Sequence, residues 1–258
     1  MKCKLGNTEI NYEVIGAGKP ILLFSGYMND MTAMKNCMEP IFETKDGWKR
    51  IYVDHPGVGD TVVGEDIKSI TDILDVIMEF VDKVVGEERF MLAGYSFGGF
   101  LSRYILNQKY KMVDGMLLIN PVVLQDMTRW DVDREIEEIK HRDKEMQERV
   151  ETRMATVMDA AMAKSDFEFL DTLRAKGSEV NIELDQFDEP FEKPTLILTG
   201  RQDTVVGYRD AFKLVDKYPR ATYSIIDKAG HAVQIEQESL FNSLVEEWLC
   251  RVEESIEG

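Results

Sequence analysis

The first half of the chain alternates short, continuous apolar runs with segments of helical periodicity, and this alternation restricts the fold more than any other feature. An apolar run without polar interruption suits a strand buried on both faces, as in a parallel sheet covered by helices. We predict strands at 10–15, 20–24, 50–53, 90–93 and 115–119, and helices at 69–85 and 100–107. The sequence therefore predicts an α/β fold with a mostly parallel central sheet and helices on both faces.

The strand pattern is interrupted in the middle of the chain. Between 125 and 193 no buried strand is predicted, and the apolar residues there follow helical spacing. Residues 131–164 are long enough for two helices, and a further helical pattern ends at Gly177. The apolar positions of the two patterns are Ile136, Ile139, Met146, Val150, Met154, Val157, Met158, Phe167, Leu170 and Leu173.

Strands and a final helix return towards the C-terminus, at 194–199, 221–226 and 237–252. We therefore predict two units, in which 1–120 and 193–258 form the sheet-based core and 121–192 form a helical insertion. The 69 residues from 125 to 193 hold 20 acidic and 11 basic side chains, so about half of the net charge lies in a quarter of the chain. An acidic surface of this kind usually faces solvent.

The net charge disfavours several classes of partner. With 48 Asp and Glu residues against 31 Lys and Arg, the chain carries −17, which repels nucleic acids and anionic membranes. The first residues are too polar for a signal peptide, and no apolar run reaches the length of a membrane span. Cys3, Cys37 and Cys250 form neither a disulfide framework nor a zinc motif. We expect a cytoplasmic protein that needs neither a metal nor an organic cofactor.

One short motif points to chemistry. The segment Gly94-Tyr95-Ser96-Phe97-Gly98 fits the pattern G-x-S-x-G between a predicted strand and a predicted helix. A strand that turns directly into a helix strains its central residue, and glycines two positions before and after it relieve the steric conflict. The Ser96 hydroxyl is then exposed at the carboxyl edge of the sheet, and the Phe97 amide can stabilise an oxyanion. The alternative is an ordinary glycine-rich turn.

Two later residues complete a catalytic pattern. Asp203 follows the predicted strand 194–199, and His231 follows the predicted strand 221–226. The order Ser96, Asp203, His231 matches a triad in which the histidine takes the proton from the serine and the aspartate orients the histidine. Taken singly, a solvated loop aspartate and a capping histidine are equally good interpretations. Together with the serine motif, the three residues favour nucleophilic catalysis.

With these motifs the chain resembles the α/β-hydrolase superfamily over about three quarters of its length, everything except the insertion. The segment 52–61, Tyr-Val-Asp-His-Pro-Gly-Val-Gly-Asp-Thr, also resembles the family pattern D-x-P-G-x-G-x-S, which is mainly architectural. His55 lies at a variable position of that pattern, and we interpret it as structural or as pocket lining. His141 lies in the charged insertion, and we interpret it as a solvated helix residue.

The resemblance also implies an oxyanion hole in the segment Phe24-Ser25-Gly26-Tyr27-Met28. The family usually has His-Gly here, followed by a residue whose amide is the second donor. In this chain Ser25 replaces the histidine and Gly26 is kept, so the implied donors are the backbone amides of Tyr27 and Phe97. Because a backbone donor is independent of the neighbouring side chain, the replacement leaves the hole possible.

By the same resemblance, the insertion 121–192 is a lid that covers the active site and selects the substrate. Its methionines and phenylalanines either line an acyl pocket or pack the lid onto the core, and packing suits most of the methionines. The residues concerned are Met146, Met154, Met158, Met162, Phe167 and Phe169.

The resemblance therefore implies a serine hydrolase that acts on a small ester or a related acyl compound, as a monomer or a homodimer. Two alternatives stay open at this point. One is a non-hydrolytic enzyme of the same fold, either a lyase or a cofactor-free perhydrolase. The other is a receptor for a small molecule, in which the triad is vestigial.

Overall fold

The computed structural model of the chain describes residues 1–124, 127–136, 143–176 and 182–257. Its centre is an eight-stranded sheet with the order β1-β2-β4-β3-β5-β6-β7-β8. The strands are β1 Lys2–Leu5, β2 Thr8–Ile15, β3 Lys19–Phe24, β4 Trp48–Val53, β5 Phe90–Tyr95, β6 Val113–Ile119, β7 Thr195–Gly200 and β8 Ala221–Ile226. The pairs β1–β2 and β2–β4 are antiparallel, and the other neighbouring pairs are parallel. The prediction of a mostly parallel sheet is confirmed.

Helices connect the strands and cover the sheet. In chain order they are α1 Thr32–Phe42, α2 Ile70–Val84, α3 Phe97–Lys109, α4 Lys144–Arg153, α5 Ala160–Met162, α6 Phe167–Lys176, α7 Arg209–Phe212, α8 Val233–Glu236 and α9 Glu238–Glu257. Within the described part of the chain, no helix is both long enough and apolar enough to cross a membrane.

Side chains of the central strands alternate between two apolar layers. Along β3, Leu22 and Phe24 belong to the layer that α2 and α3 cover, whereas Ile21 and Leu23 belong to the layer under α1 and α9. All four side chains are fully buried. Successive residues of a strand point to opposite faces, so an uninterrupted apolar run is what a sheet covered on both sides requires.

The elements of the core begin and end close to their predicted positions. Helix α2 fills the predicted interval 69–85, with Ser69 as its N-cap, and the Ser69 hydroxyl accepts a hydrogen bond from the amide of Asp72 at 3.2 Å. Helix α3 begins at Phe97, earlier than predicted, because the helix follows Ser96 directly. Helix α1 and strand β1 are additions to the predicted set.

The predicted insertion holds α4, α5 and α6, and none of the residues described between 121 and 192 forms a strand. The sequence predicts two helices over 131–164, whereas the residues described there form one continuous helical stretch, and 137–142 are not described. Residues 131–136 contain a turn and no helix, and the helix begins at Lys144, after the N-cap Asp143. From there a π-helical stretch, Met154–Asp159, joins α4 to α5 without a break. Ile139, His141 and Gly177 lie outside the described residues.

Candidate active site

Ser96 lies between β5 and α3 with a strained backbone. Its φ of 53° and ψ of −113° lie in a region that non-glycine residues rarely occupy. The turn is tight enough to exclude side chains at Gly94 and Gly98. A Cβ at Gly94 would lie 2.1 Å from the Gly98 carbonyl oxygen, and a Cβ at Gly98 would lie 2.2 Å from the Phe24 carbonyl oxygen. The glycines of the motif are therefore required by backbone contacts.

The three residues predicted to act together are joined by hydrogen bonds. The Ser96 Oγ lies 3.0 Å from Nε2 of His231, and Nδ1 of His231 lies 2.9 Å from Oδ2 of Asp203. Ser96 and Asp203 are buried, whereas about a fifth of the His231 side chain is exposed. An imidazole held in this way can accept a proton at Nε2 while Nδ1–H donates to the carboxylate.

The second oxygen of Asp203 is held by the backbone that follows it. Oδ1 accepts hydrogen bonds from the amides of Val205 at 2.8 Å and Val206 at 3.1 Å. These bonds fix the carboxylate so that Oδ2 faces His231. Because Asp203 follows β7 and His231 follows β8, two neighbouring parallel strands deliver both side chains to the same edge of the sheet.

Asn120, which was not among the predicted site residues, ties the two loops together. It follows β6 with a φ of 40°, a left-handed conformation that asparagine tolerates better than most residues. Its Oδ1 accepts a hydrogen bond from the Gly200 amide at 2.8 Å, and its Nδ2 donates to the His231 carbonyl at 2.6 Å. The available signal in the sequence was an asparagine directly after the predicted strand 115–119.

The two amides implied as oxyanion donors lie in neighbouring segments. The close approach of Gly98 to the Phe24 carbonyl packs the start of α3 against the loop that carries Tyr27. The rings of Tyr27 and Phe97 meet edge to face, with centroids 5.1 Å apart, and both residues line the same cavity as Ser96. Phe97 is the first residue of α3, so its amide has no acceptor within the helix.

The Ser25 side chain contacts α1 and does not line the cavity that Tyr27 and Phe97 share. Ser25 is fully buried, and its hydroxyl accepts a hydrogen bond from the Met34 amide at 3.4 Å. The side chain that replaces the family's histidine therefore contacts a helix instead of the cavity.

His55 is buried beneath residues 24–28, named the oxyanion loop here for the donor that the family resemblance implies, and its two ring nitrogens face backbone carbonyls. Its Nε2 lies 3.1 Å from the Gly26 carbonyl oxygen, and its Nδ1 lies 3.1 Å from the Pro56 carbonyl oxygen. The Tyr27 and Phe97 rings pack around it, at centroid distances of 6.5 Å and 5.3 Å. Of the two roles predicted for His55, structural or pocket lining, these contacts favour the structural role.

The buried His55 predicts a pH dependence of stability. Burial lowers the pKa of His55 below its ordinary value of 6.5, so the unfolded chain takes up a proton that the folded chain resists. The free energy of unfolding should therefore fall as the pH is lowered from 6.5 towards 5.5. Denaturant unfolding of the parent and of His55→Gln over this range should give a flatter curve for the variant, and parallel curves would contradict the prediction.

A cavity of about 580 Å³ opens in front of Ser96 and His231. Its wall is mainly apolar. The side chains that form it, apart from Ser96, His231 and the oxyanion loop, include Ile70, Phe100, Val122, Met127, Trp130, Met154, Met158, Met162, Val205 and Val206. A cavity of this size and polarity suits a small organic molecule with an apolar part.

The predicted lid residues divide between lining the cavity and packing elsewhere. Met154, Met158 and Met162 line it, which corrects the interpretation that most of the methionines only pack the lid onto the core, whereas Met146, Phe167 and Phe169 do not line it. Met146 and Phe167 lie towards solvent, and Phe169 packs against the core. The start of α6 is fixed by the Asp166 amide, which donates to the Gly57 carbonyl at 2.9 Å.

The positions of the serine, the carboxylate and the histidine relative to the sheet define a class of protein. Ser96 follows β5, Asp203 follows β7 and His231 follows β8. These strands are parallel, so the three side chains lie at the same carboxyl edge of the sheet. That topology is the one of α/β hydrolases, so the fold predicted from the motifs is confirmed.

A comparison with known protein families identifies one family within this class. Residues 18–238 match the family described as serine aminopeptidase, S33. The chain belongs to this family, and it is an enzyme of the α/β-hydrolase superfamily.

Individual relatives are distant but cover nearly the whole chain. A protein of Agrobacterium fabrum named for carbamate hydrolysis, RutD, is 23% identical over 272 residues, which span 95% of this chain and all of the relative. A hydrolase of Oenococcus oeni PSU-1 superposes with a TM-score of 0.80 at 22% identity, covering 98% of this chain and 99% of the other. A thermophilic esterase of Thermogutta terrifontis gives 0.72 at 19% identity, with the same coverage of both chains.

Proposed function

We propose that this protein is a serine hydrolase that cleaves small carboxylic esters or related acyl compounds through an acyl-enzyme. The observation that carries the proposal is the hydrogen-bonded chain from Ser96 through His231 to Asp203, at the wall of an apolar cavity. The strained backbone of Ser96 supports it, because such strain is typical of functional sites.

In the proposed reaction, Ser96 Oγ attacks the acyl carbon while its proton passes to Nε2 of His231. The amides of Tyr27 and Phe97 stabilise the oxyanion of the tetrahedral intermediate. His231 then returns the proton to the leaving oxygen, which leaves as the alcohol, and Ser96 carries the acyl group. A water molecule, deprotonated by His231, attacks the acyl carbon and releases the carboxylic acid and the free serine.

The substrate class follows from the cavity and is supported by the relatives. An apolar wall favours an acyl or alcohol group that is itself apolar, and the volume suits a compound of modest size. One structural relative is an esterase, and one sequence relative is named for carbamate hydrolysis, which also involves attack on a carbonyl carbon. We propose that residues 121–192 act as the lid, since the π-helical stretch Met154–Asp159 and α5 supply Met154, Met158 and Met162 to the cavity wall, and α6 supplies Arg174.

A panel of chromogenic substrates tests the proposal. We expect turnover of 4-nitrophenyl acetate and butyrate, with kcat/KM about tenfold higher for butyrate because two more methylene groups are buried. The matched butyryl 4-nitroanilide tests amide cleavage, which the family description makes the main competing reaction.

The same panel separates the alternatives. Peracid formation from acetate and hydrogen peroxide, in place of ester turnover, would indicate a perhydrolase. Saturable binding of the esters to folded protein, with no turnover of any compound, would favour a receptor and contradict the proposal.

A further inference from the structure

The wall of the cavity carries two opposite charges, Arg174 and Asp159. Among the described residues, Arg174 is the one lysine or arginine that lines the cavity, and Asp159 is the one aspartate or glutamate. Arg174 belongs to α6, and Asp159 lies between α4 and α5. Both side chains are exposed, so they lie at the rim, where a substrate group can reach them from the apolar interior.

Arg174 is held in place by the packing of α6 on the oxyanion loop. The Tyr27 hydroxyl donates to the Leu170 carbonyl at 2.6 Å, and burial raises the pKa of Tyr27 to about 12, which keeps this donor protonated. Residues four positions apart lie on the same side of a helix. One turn after Leu170, the guanidinium of Arg174 lies 5.3 Å from the centre of the Tyr27 ring.

Among the described residues, no acceptor forms a hydrogen bond with the guanidinium of Arg174, so these residues leave its donors available. No carboxylate in the described part of the chain lies within ion-pair distance of Arg174. Two other cations of the insertion differ in this respect, because Arg153 pairs with Glu238 at 2.7 Å and Lys164 pairs with Asp60 at 3.2 Å. A guanidinium that stacks on an aromatic ring presents its planar N–H groups at the edge, where they match a carboxylate.

Resting on the function proposed above, we propose that Arg174 binds a carboxylate of the substrate, so that the preferred substrates are esters that carry a second, anionic carboxyl group beyond an apolar segment. The single positive charge of Arg174 matches a monoanionic carboxylate better than a phosphate dianion, whose second negative charge would meet the repulsion of Asp159 on the same cavity wall. Asp159 repels the same carboxylate and therefore directs the anionic end of the substrate towards Arg174.

The test compares two pairs of esters that differ in one charge. Mono-4-nitrophenyl adipate and its neutral methyl ester carry the difference on the acyl side, whereas 4-butyryloxybenzoate and its methyl ester carry it on the leaving-group side. For each pair the readout is kcat/KM of the anionic ester divided by that of the neutral ester. In Arg174→Gln we expect this ratio to fall about tenfold in at least one pair, as for a partly exposed charged hydrogen bond.

Two further variants complete the test. Asp159→Asn should raise the ratio, because it removes the repulsion at the rim. Lys164→Gln changes the net charge by the same amount as Arg174→Gln but lies outside the cavity lining, and it should leave the ratio unchanged.

Failure of the inference is distinct from failure of the proposed function. If the parent hydrolyses the neutral esters and Arg174→Gln leaves both ratios unchanged, the role of Arg174 is refuted and the hydrolase survives. If the parent hydrolyses none of the four esters, the proposed function itself fails, and the inference fails with it.

Discussion

Ser96→Ala is expected to lower kcat for ester hydrolysis by about 10⁴-fold to 10⁶-fold, because the variant lacks the atom that attacks the acyl carbon. The measurement is kcat with 4-nitrophenyl butyrate at saturating concentration. KM should change much less, since the cavity wall that holds the substrate is intact. The midpoint of urea unfolding should stay close to that of the parent. The loss of kcat would then come from the missing nucleophile and not from unfolding.

Ser243→Ala is the matched control for this variant. Ser243 is an exposed serine of α9, and its hydroxyl donates to the Ser239 carbonyl at 3.0 Å. Removing that hydroxyl should leave kcat within about twofold of the parent, as for most surface changes away from a site. A Ser96→Ala variant that kept more than a hundredth of the parent activity would contradict the assignment of the nucleophile.

Gly98→Ala is expected to destabilise the fold by more than about 3 kcal/mol and to abolish activity. The added Cβ would clash with backbone atoms, and a backbone clash cannot be relieved by a change of side-chain rotamer. The new Cβ would lie 2.2 Å from the Phe24 carbonyl oxygen and 2.7 Å from the Ser25 carbonyl oxygen. Relief requires α3 and the oxyanion loop to separate, which also moves the Phe97 and Tyr27 amides apart. Chemical unfolding and kcat are measured on the same preparations.

Gly47→Ala controls for the ordinary cost of replacing a glycine. Gly47 has a φ of 82°, and nothing lies within 4 Å of the position that its Cβ would take. The substitution should therefore cost only about 1 to 2 kcal/mol of left-handed backbone strain and leave kcat unchanged. If Gly98→Ala proves as stable and as active as Gly47→Ala, the backbone contact between the serine turn and the oxyanion loop is not essential.

The fold could be predicted in large part because its strands are buried on both faces. Such strands appear in the sequence as unbroken apolar runs, and Leu22, Leu23 and Phe24 are an example that is fully buried in the structure. Helix α1 gave a weaker signal. Its residues include Pro40, and its N-cap residue, Met31, makes no capping hydrogen bond through its side chain. Without a start signal, its helical spacing did not stand out.

The hydrogen-bonded arrangement of the candidate triad could be predicted because the motif positions follow from local sequence and chain order. Ser96, Asp203 and His231 each follow a predicted strand, and parallel strands bring their carboxyl ends to one edge. Asn120 and Arg174 were not identified. Their roles depend on contacts with residues distant in sequence, since Asn120 bonds to His231 and Arg174 lies over Tyr27.

The wall of the cavity was predictable only in part for the same reason. Helical spacing shows which residues of the insertion share a face, but it does not show where that face is directed. Met154 and Met158 line the cavity, whereas Met146, on the same continuous helix, lies outside it. The direction is set by how α4 and α6 pack on the core, and no short sequence motif encodes that packing.

The most direct test of the central claim is intact-mass analysis after treatment with a fluorophosphonate. Attack of Ser96 Oγ on phosphorus displaces fluoride and leaves a stable covalent adduct, which requires a nucleophile activated by His231. We predict one adduct on the folded parent, located on the peptide that contains Ser96, and none on Ser96→Ala. An unlabelled folded parent, or the same adduct on Ser96→Ala, would contradict the assignment of Ser96 as the nucleophile of a serine hydrolase.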